Sequence, residues 1–410
     1  MESGFPEAPP IARTSDSCVL AALMRGALRG TMKAKATQED YREVLKQVCT
    51  SIIATEAAGV DRGGAFAEKS IAALKGGGLL GAVSAQEVGG LGLGLRGAVT
   101  IVERVARECG SPAMVVTMHF SGTAVLEAFA SQDVRRAAAS GEHLSTLAFS
   151  EAGSRSHFWA PTSTATRDDD GVVLNADKSW VTSAAQATAY VWSSRPVEAE
   201  GMSTLWLVPS KAAGLAVQGL FDGLGLRGND SSPVVAHDVK VPLSAMLGTD
   251  GGGFDAMLQI VLPTFCLCSA ACSVGLMQAA VERTATHVKA TRFEHTRSSL
   301  AELPTVRNYI ARMKVLTDSA HTLLLDTVAA VEGHRSDAVL RVLESKAAAG
   351  EASLQVLDLA MRVSGGAAFR KDVGLERYFR DARAAGVMGP TTDMLYDFIG
   401  KAVCGMELFS

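Results

Sequence analysis

Apolar residues recur at helical spacing through the first part of the chain, between residues 41 and 141. They return every three or four positions in YREVLKQVCTSIIATEAAG and in GAVTIVERVARECG, which predicts amphipathic α-helices. The glycine-rich segment between them, GGGLLGAVSAQEVGGLGLGLRG, interrupts this spacing. It lacks the lysine–hydroxyl pair of a phosphate-binding loop, so a tight turn is favoured over a nucleotide cradle. We therefore predict an N-terminal helical domain over residues 39–143.

The pattern changes near residue 144 and changes back near residue 249. Short runs rich in valine, threonine and tryptophan, among them GVVLNADKSWVTS and STLWLVPS, alternate with turn residues and predict a β domain over residues 144–248. A domain of this length is typical of a small barrel or sandwich. Helical spacing then resumes and predicts a C-terminal helical domain over residues 249–410. Residues 1–38, which carry prolines and serines, are expected to be a flexible extension.

Residues 257–281 contain no charged side chain and are numerous enough to span a bilayer. Pro263, two glutamines and several small residues lie among them, and no belt of aromatic residues flanks them. A fully buried helix of a large helical domain has the same composition, and we favour that interpretation. Cys266, Cys268 and Cys272 fall in this stretch, but no histidine accompanies them as a metal ligand. We predict that they are buried apolar residues and that the protein holds no metal.

Composition narrows the classes of function. The formal net charge is -4 and no block of like charges is present, which argues against nucleic acid as a partner. The seven cysteines are an odd number in a chain without a recognisable secretory signal, and this indicates a reducing compartment. We expect a cytoplasmic globular protein that binds neither nucleic acid nor a membrane.

The most distinctive cluster of charged and glycine residues lies between residues 360 and 393. Gly365 and Gly366 follow a predicted helix, and LERYFRDAR then gathers acidic and basic side chains on the next one. By itself such a run is typical of a solvated helix face with ion pairs at four-residue spacing.

This segment resembles the C-terminal signature of the acyl-CoA dehydrogenase family, in which a Gly-Gly pair precedes an ER-x-x-RDA helix. VSAQEVGGLGL is similar to the family's P-x-E-x-GG-x-GL loop, NADKSWVTSAAQA to its NG-x-K-x-W-I-T-N strand pair, and GLGLRGNDSS to its G-x-R-x-S-x-T element. The resemblance implies an α+β fold with an N-terminal helical domain, a central small β-barrel or sandwich and a C-terminal four-helix bundle. It also implies FAD as the cofactor, an acyl-CoA or acyl-carrier protein substrate, and a homodimer or homotetramer.

The resemblance assigns roles to individual residues in the β domain. Trp180 and Thr182 match the tryptophan and threonine beside the isoalloxazine ring, the alternative being ordinary strand packing. Phe149, Ser150 and Glu151 match the start of the family's TEPGAGSD loop, which flanks the other edge of the ring.

The rest of that loop is remodelled, and the match weakens toward the dinucleotide end. The loop reads SEAGSRSH, so Arg155 and His157 replace a glycine and an aspartate and are candidates to face the substrate. An ordinary loop histidine is an equal alternative for His157. Some of the family's remaining FAD contacts come from a neighbouring subunit. The corresponding residues here are Arg292, Arg362, which replaces the family's glutamine, Gly365, Gly366, Thr391 and Asp393.

The chain departs from the family at the catalytic base. Removal of the α proton of a thioester normally requires a positioned carboxylate, and Gly389 corresponds to the glutamate of the family's Y-E-G-T. A minority of the family supplies this glutamate from the helix that matches residues 258–274. These residues include neither Glu nor Asp, and Phe265 stands at about the expected position.

Three interpretations remain open. In the first, ranked highest, the protein oxidises an acyl thioester, with Glu151 or Asp393 as a relocated base or with a substrate acidic enough to need less help. In the second, it is a flavin-dependent monooxygenase of the same fold, which needs no such base. In the third, it is a non-catalytic relative, because one fold hosts several functions. The departure from common motifs also points to specialised, secondary metabolism.

Overall fold

The computed structural model describes residues 35–154 and 157–408. Arg155 lies outside the described residues, as does most of the predicted N-terminal extension. The N-terminal helices are α1 (Tyr41–Val48), α2 (Ala54–Gly63), α3 (Glu68–Gly76), α4 (Gly94–Ala106), α5 (Gly110–Phe129) and α6 (Gln132–Ser140). A π-helical turn, Cys49–Ile53, joins α1 to α2.

The glycine-rich segment between α3 and α4 folds as a compact turn. The amide of Gly92 donates to the carbonyl oxygen of Ser84 over 2.8 Å. A Cβ atom at Gly90 would collide with the same carbonyl, so this close approach of two backbone segments requires glycine.

The central domain consists of two four-stranded sheets. Its strands are β1 (Ser145–Ala148), β2 (Thr164–Asp168), β3 (Gly171–Val181), β4 (Ala189–Ser194), β5 (Thr204–Pro209), β6 (Leu215–Val217), β7 (Ser232–Pro242) and β8 (Met246–Leu247). The strand orders are β1–β4–β5–β8 and β2–β3–β7–β6; β1 and β4 are parallel, and the other neighbours are antiparallel. Trp192 and Trp206 of one sheet share a buried core with Leu174 and Val234 of the other, so the sheets form a sandwich.

The chain then returns to helices. They are α7 (Gly253–Ala256), α8 (Leu262–Ala290), α9 (Pro304–Glu332), α10 (Ala338–Ser364), α11 (Leu375–Ala382), α12 (Ala384–Val387) and α13 (Thr392–Val403). The long helices α8, α9 and α10 pack against one another, and α13 packs on α10. This arrangement confirms the predicted α+β class, with helices, a β module and a helical bundle in that order.

The uncharged stretch lies in the middle of the molecule. Among the described residues, the continuous helical segment Gly253–Ala290 is the one that is long and apolar enough to cross a membrane by length and composition. However, 78% of its most apolar window is buried inside the fold, where α8 packs against α4, α5, α9 and α10. Cys266, Cys268 and Cys272 are free thiols within this core. The burial agrees with the core-helix interpretation.

Candidate active site

A cavity of about 660 Å³ is enclosed by the end of β3, the loop of residues 221–226 and the segment from α11 to residue 389. Five residues predicted from the sequence line it: Ser150, Glu151, Trp180, Thr182 and Gly389. They are up to 239 positions apart in the chain, from 150 to 389, yet the fold brings them to one place. This cavity is therefore the candidate active site.

Trp180 is turned out of the sheet toward this cavity. The β3–β7 register shifts between Lys178 and Val181, and Trp180 has a φ of 56°, which is unfavourable for a residue with a bulky side chain. Its side chain is 71% exposed although it belongs to a strand of a packed sandwich. The alternative of ordinary strand packing is thus wrong for Trp180, and a flat apolar face is available to a ligand.

The polar groups beside Trp180 are incompletely paired. The hydroxyls of Thr182 and Ser231 lie 3.0 Å apart, and the hydroxyl of Thr146 donates to the carbonyl oxygen of Thr182. Asn229 also lines the cavity and is buried, but its Oδ1 receives no hydrogen bond from the described residues. An unsatisfied buried oxygen costs about 1–3 kcal/mol, so a ligand with a hydrogen-bond donor is expected here.

The charged helix α11 anchors the loop that forms one wall of the cavity. Asp381 is fully buried, and its Oδ1 accepts the amide hydrogen of Leu226 over 2.7 Å. Burial raises the pKa of Asp381 to about 6, against the opposing effect of that amide. Arg380 donates to the carbonyl oxygen of Leu224 and pairs with Asp61 at 2.6 Å. The interpretation of this charge run as a solvated face is therefore wrong.

Glu151 forms a buried ion pair with Lys178. Lys178 Nζ lies 2.5 Å from Glu151 Oε1, and both side chains are almost completely buried. Glu151 also accepts hydrogen bonds from Ser163 Oγ and from the amide and hydroxyl of Thr162. Burial acts to raise the pKa of Glu151, but Lys178 and these donors outweigh it and hold the pKa below its ordinary value. The suggestion that Glu151 is a relocated base is corrected by this network, which leaves no free carboxylate oxygen.

The backbone around Gly389 is held by a buried lysine that the sequence analysis did not single out. Lys346 on α10 donates to the carbonyl oxygens of Met388 over 3.0 Å and of Pro390 over 2.7 Å. Burial lowers the pKa of Lys346 to about 8. Glu151 is the only carboxylate among the described residues that line the cavity, so the site offers no unpaired carboxylate near Gly389.

Several predicted site residues lie elsewhere in the chain's own fold. Asp393 is exposed in the first turn of α13 and does not line the cavity, which corrects the suggestion that it replaces the base. Phe149 is buried in the main core, and the Thr391 hydroxyl caps α13 by accepting from the Met394 amide. His157 is exposed and packs edge-on against Trp159.

Four of the residues expected to contact the dinucleotide end of FAD are exposed in the fold of this chain. This group consists of Arg292, Arg362, Gly365 and Gly366. None of them lines the cavity, so the glycine pair does not grip a ring beside Trp180 within one chain. Gly365 has a φ of 55°, and its role here is to end α10. Since the resemblance gives part of this group to a neighbouring subunit's FAD, those contacts stay predictions.

Comparison with known proteins accounts for this arrangement. Residues 35–140, 146–239 and 251–404 match, in order, the N-terminal, middle and C-terminal domain models of acyl-CoA dehydrogenase. The chain belongs to the acyl-CoA dehydrogenase family. The human mitochondrial short-chain specific acyl-CoA dehydrogenase is 27% identical over 371 residues, covering 87% of this chain and 88% of that protein. The probable acyl-CoA dehydrogenase YngJ of Bacillus subtilis is 25% identical, covering 87% and 95%.

Solved structures of other proteins share the fold of this chain. The butyryl-CoA dehydrogenase of Megasphaera elsdenii has a TM-score of 0.83 at 20% identity, covering 91% of this chain and 99% of that chain. A glutaryl-coenzyme A dehydrogenase in complex with glutaryl-CoA has a TM-score of 0.83 at 24% identity, covering 90% of this chain and 95% of that chain. The prolyl acyl carrier protein oxidase AnaB has a TM-score of 0.81 at 18% identity, covering 89% of this chain and 98% of that chain.

The family's flavin suits the cavity of this chain. The exposed Trp180 indole offers a flat face, and the unpaired Asn229 oxygen requires a donor such as a ring N–H. A Cβ at Gly225 would collide with the backbone at Arg380, so glycine lets the loop close this wall against α11. The sequence analysis identified the GLGLRGNDSS motif but did not assign a cofactor-binding role to Asn229 within it.

Proposed function

We propose that this chain is an FAD-dependent oxidoreductase that acts on an acyl thioester. The observation that carries the proposal is the cavity itself, in which Trp180, Thr182 and Asn229 provide a flat apolar face next to polar groups. Membership of the acyl-CoA dehydrogenase family supports both the flavin and the thioester. Because structures of similar fold are named for CoA and for acyl carrier protein substrates, both carriers are candidates.

Residues of β3 and of the 221–231 segment would hold the isoalloxazine ring of FAD. Trp180 would pack against the ring, Thr182 would orient it through its hydroxyl and amide, and the Asn229 oxygen would accept a hydrogen bond from it. Bound FAD supplies the hydride acceptor for oxidation of a thioester. Ser150, on the neighbouring loop, lines the same space and contributes a further polar contact.

The finer part of the proposal concerns the α proton. Gly389 stands in place of a base, and the carboxylate of Glu151 is occupied by Lys178. We infer that the substrate is acidic enough at its α carbon to release this proton to water or to a basic group of its own. Trp180 and Val387 line the cavity and are strongly exposed, so water reaches it.

The same observation favours one alternative, a flavin-dependent monooxygenase of this fold. Such an enzyme removes no α proton from a thioester and therefore needs no carboxylate at position 389. A non-catalytic flavin-binding relative is the third candidate, and it predicts bound FAD without any substrate-dependent change.

Anaerobic titration of the purified FAD-loaded protein separates these functions. We expect 2-cyanobutyryl-CoA, whose α proton is acidified by both the nitrile and the thioester, or the same acyl group carried on an acyl carrier protein, to bleach the visible absorbance of the flavin. If both leave it oxidised, and product forms only with a flavin reductase, NADH and oxygen, the monooxygenase replaces the dehydrogenase. A protein that takes up no FAD at all contradicts both.

A further inference from the structure

A second cavity lies directly behind the candidate active site. It has a volume of about 550 Å³ and is lined mainly by apolar residues from the start of α8, the turn between α9 and α10, and α13. Pro390 lines this second cavity, whereas its neighbour Gly389 lines the cavity of Trp180. The backbone at residues 389 and 390 and the side chains next to it therefore separate the two cavities.

Phe158 is the one described residue that lines both cavities. Its ring is largely buried and meets the ring of Trp159 edge-on, with centroids 5.0 Å apart. Trp159 in turn lies 5.7 Å from the ring of Phe398, which lines the second cavity. Phe158 therefore stands in the wall between the cavities as part of an aromatic cluster.

The two halves of this wall differ in how firmly they are held. The backbone half, residues 388–390, is fixed by the ammonium group of Lys346, which donates to the carbonyl oxygens of Met388 and Pro390. The other half is the phenyl ring of Phe158, which makes no hydrogen bond and is held by packing alone. Shortening this side chain would join the two spaces without removing a polar contact.

The room left beside the flavin is small. A cavity of about 660 Å³ is within the usual range of about 300–1,000 Å³ for one bound organic molecule. Because the tricyclic ring of the cofactor would share this cavity with the reacting carbons, only a compact acyl group would fit unless the space behind Phe158 is opened.

We propose that Phe158 is a specificity-determining residue, whose ring closes the passage between the cavities and restricts the site to thioesters with a compact acyl group. This inference rests on the proposed thioester function and extends it to the class of acyl group. Phe158 directly follows His157, the last residue of the remodelled loop.

The test is equilibrium binding of two unreactive thioethers, S-butyl-coenzyme A and S-dodecyl-coenzyme A, to the FAD-loaded protein by calorimetry. For the wild type we expect the butyl compound to bind at least about tenfold more tightly than the dodecyl compound, a ratio within what pocket shape achieves. Phe158→Ala should bind the dodecyl compound at least about tenfold more tightly than the wild type does, and Phe158→Leu should give an intermediate gain.

The matched control is Leu258→Ala, which enlarges the second cavity at a residue that does not line the cavity of Trp180. It should leave the dodecyl-to-butyl ratio unchanged; an equal gain in Leu258→Ala and Phe158→Ala would overturn the role of Phe158. The amount of bound FAD and the thermal midpoint are measured for every variant to detect a folding defect. If Phe158→Ala is defective, the inference is tested with Phe158→Leu instead. If neither thioether binds to any FAD-loaded variant, whether it is carried on coenzyme A or on a phosphopantetheinylated acyl carrier protein, the thioester function itself fails, whereas binding with an unaltered ratio rejects only the Phe158 inference.

Discussion

At the residue scale, the position of Trp180 gives the most direct test of the flavin site. Trp180→Ala removes the flat face at the cavity edge, and we expect the Kd for FAD to rise by at least about thirtyfold, since a central aromatic contact is worth about 2 kcal/mol. Trp180→Phe, which keeps a ring, should lose much less. Fluorescence titration of the apoprotein with FAD measures both. Full FAD retention in Trp180→Ala would contradict the assignment of this residue to the flavin.

The ion pair of Glu151 and Lys178 provides a second prediction at this scale. Glu151→Gln leaves the buried ammonium of Lys178 without a counter-charge, and breaking such a pair costs about 3–5 kcal/mol. Urea unfolding should show this loss, and Lys178→Met in the same chain should recover part of it, because the two changes are coupled. Were Glu151 instead the base, Glu151→Gln would abolish flavin reduction by thioesters at unchanged stability.

At the scale of elements, the local sequence pattern predicted the helices and strands themselves but not the contacts between them. Helical spacing located the N-terminal and C-terminal helices, and the absence of charge in residues 257–281 predicted the burial of α8. The link from Asp381 to the Leu226 amide joins residues 155 positions apart, and that from Arg380 to Asp61 joins residues 319 apart. Such pairs leave no local periodic signal, so α11 alone had the composition of a solvated face.

Lys346 connects α10 to the wall of the active site, and its titration gives a pH-dependent prediction. Burial lowers its pKa from 10.5 to about 8, so between these values the unfolded chain binds more protons than the folded one. Stability therefore rises with pH across this window, and this contribution is lost as pH falls through 8. The unfolding free energy of the wild type relative to Lys346→Met should increase by about 2–3 kcal/mol between pH 7 and 10.

Chemical unfolding of both proteins at a series of pH values measures this difference. Lys346→Met also leaves the carbonyl oxygens of Met388 and Pro390 without their donor, which by itself destabilises the fold by about 1–3 kcal/mol at pH 7. Lys314→Met is a suitable control, because Lys314 is exposed and pairs with Asp318 on the same helix face. A pH-independent difference for Lys346→Met would show that this amine titrates alike in both states.

At the scale of the whole molecule, the sequence resemblance predicted the three modules and named several residues that line the cavity of Trp180, but it did not locate the space available to a substrate. The cavity of Trp180 combines residues of the β sandwich, α5, the 221–226 loop and the α11–α12 region. Its shape depends on how these modules pack, and so does the cavity behind Phe158. Gly389 lines the cavity of Trp180 and its neighbour Pro390 lines the cavity behind Phe158, so a change at position 389 tests the site as a whole.

Gly389→Glu tests whether a missing carboxylate is the main functional difference from ordinary acyl-CoA dehydrogenases. The new side chain would enter a cavity lined by Arg380 and Arg383, which favour its ionised, basic form. If the rest of the site is intact, a positioned base should accelerate anaerobic flavin reduction by butyryl-CoA by about 10²–10⁴-fold. Gly389→Gln, of nearly the same size but unable to take a proton, should give no gain, and stopped-flow absorbance distinguishes the two. Equal rates for both variants and the wild type would mean that the substrate is bound elsewhere, or that the chemistry of this chain never involved proton removal at this position.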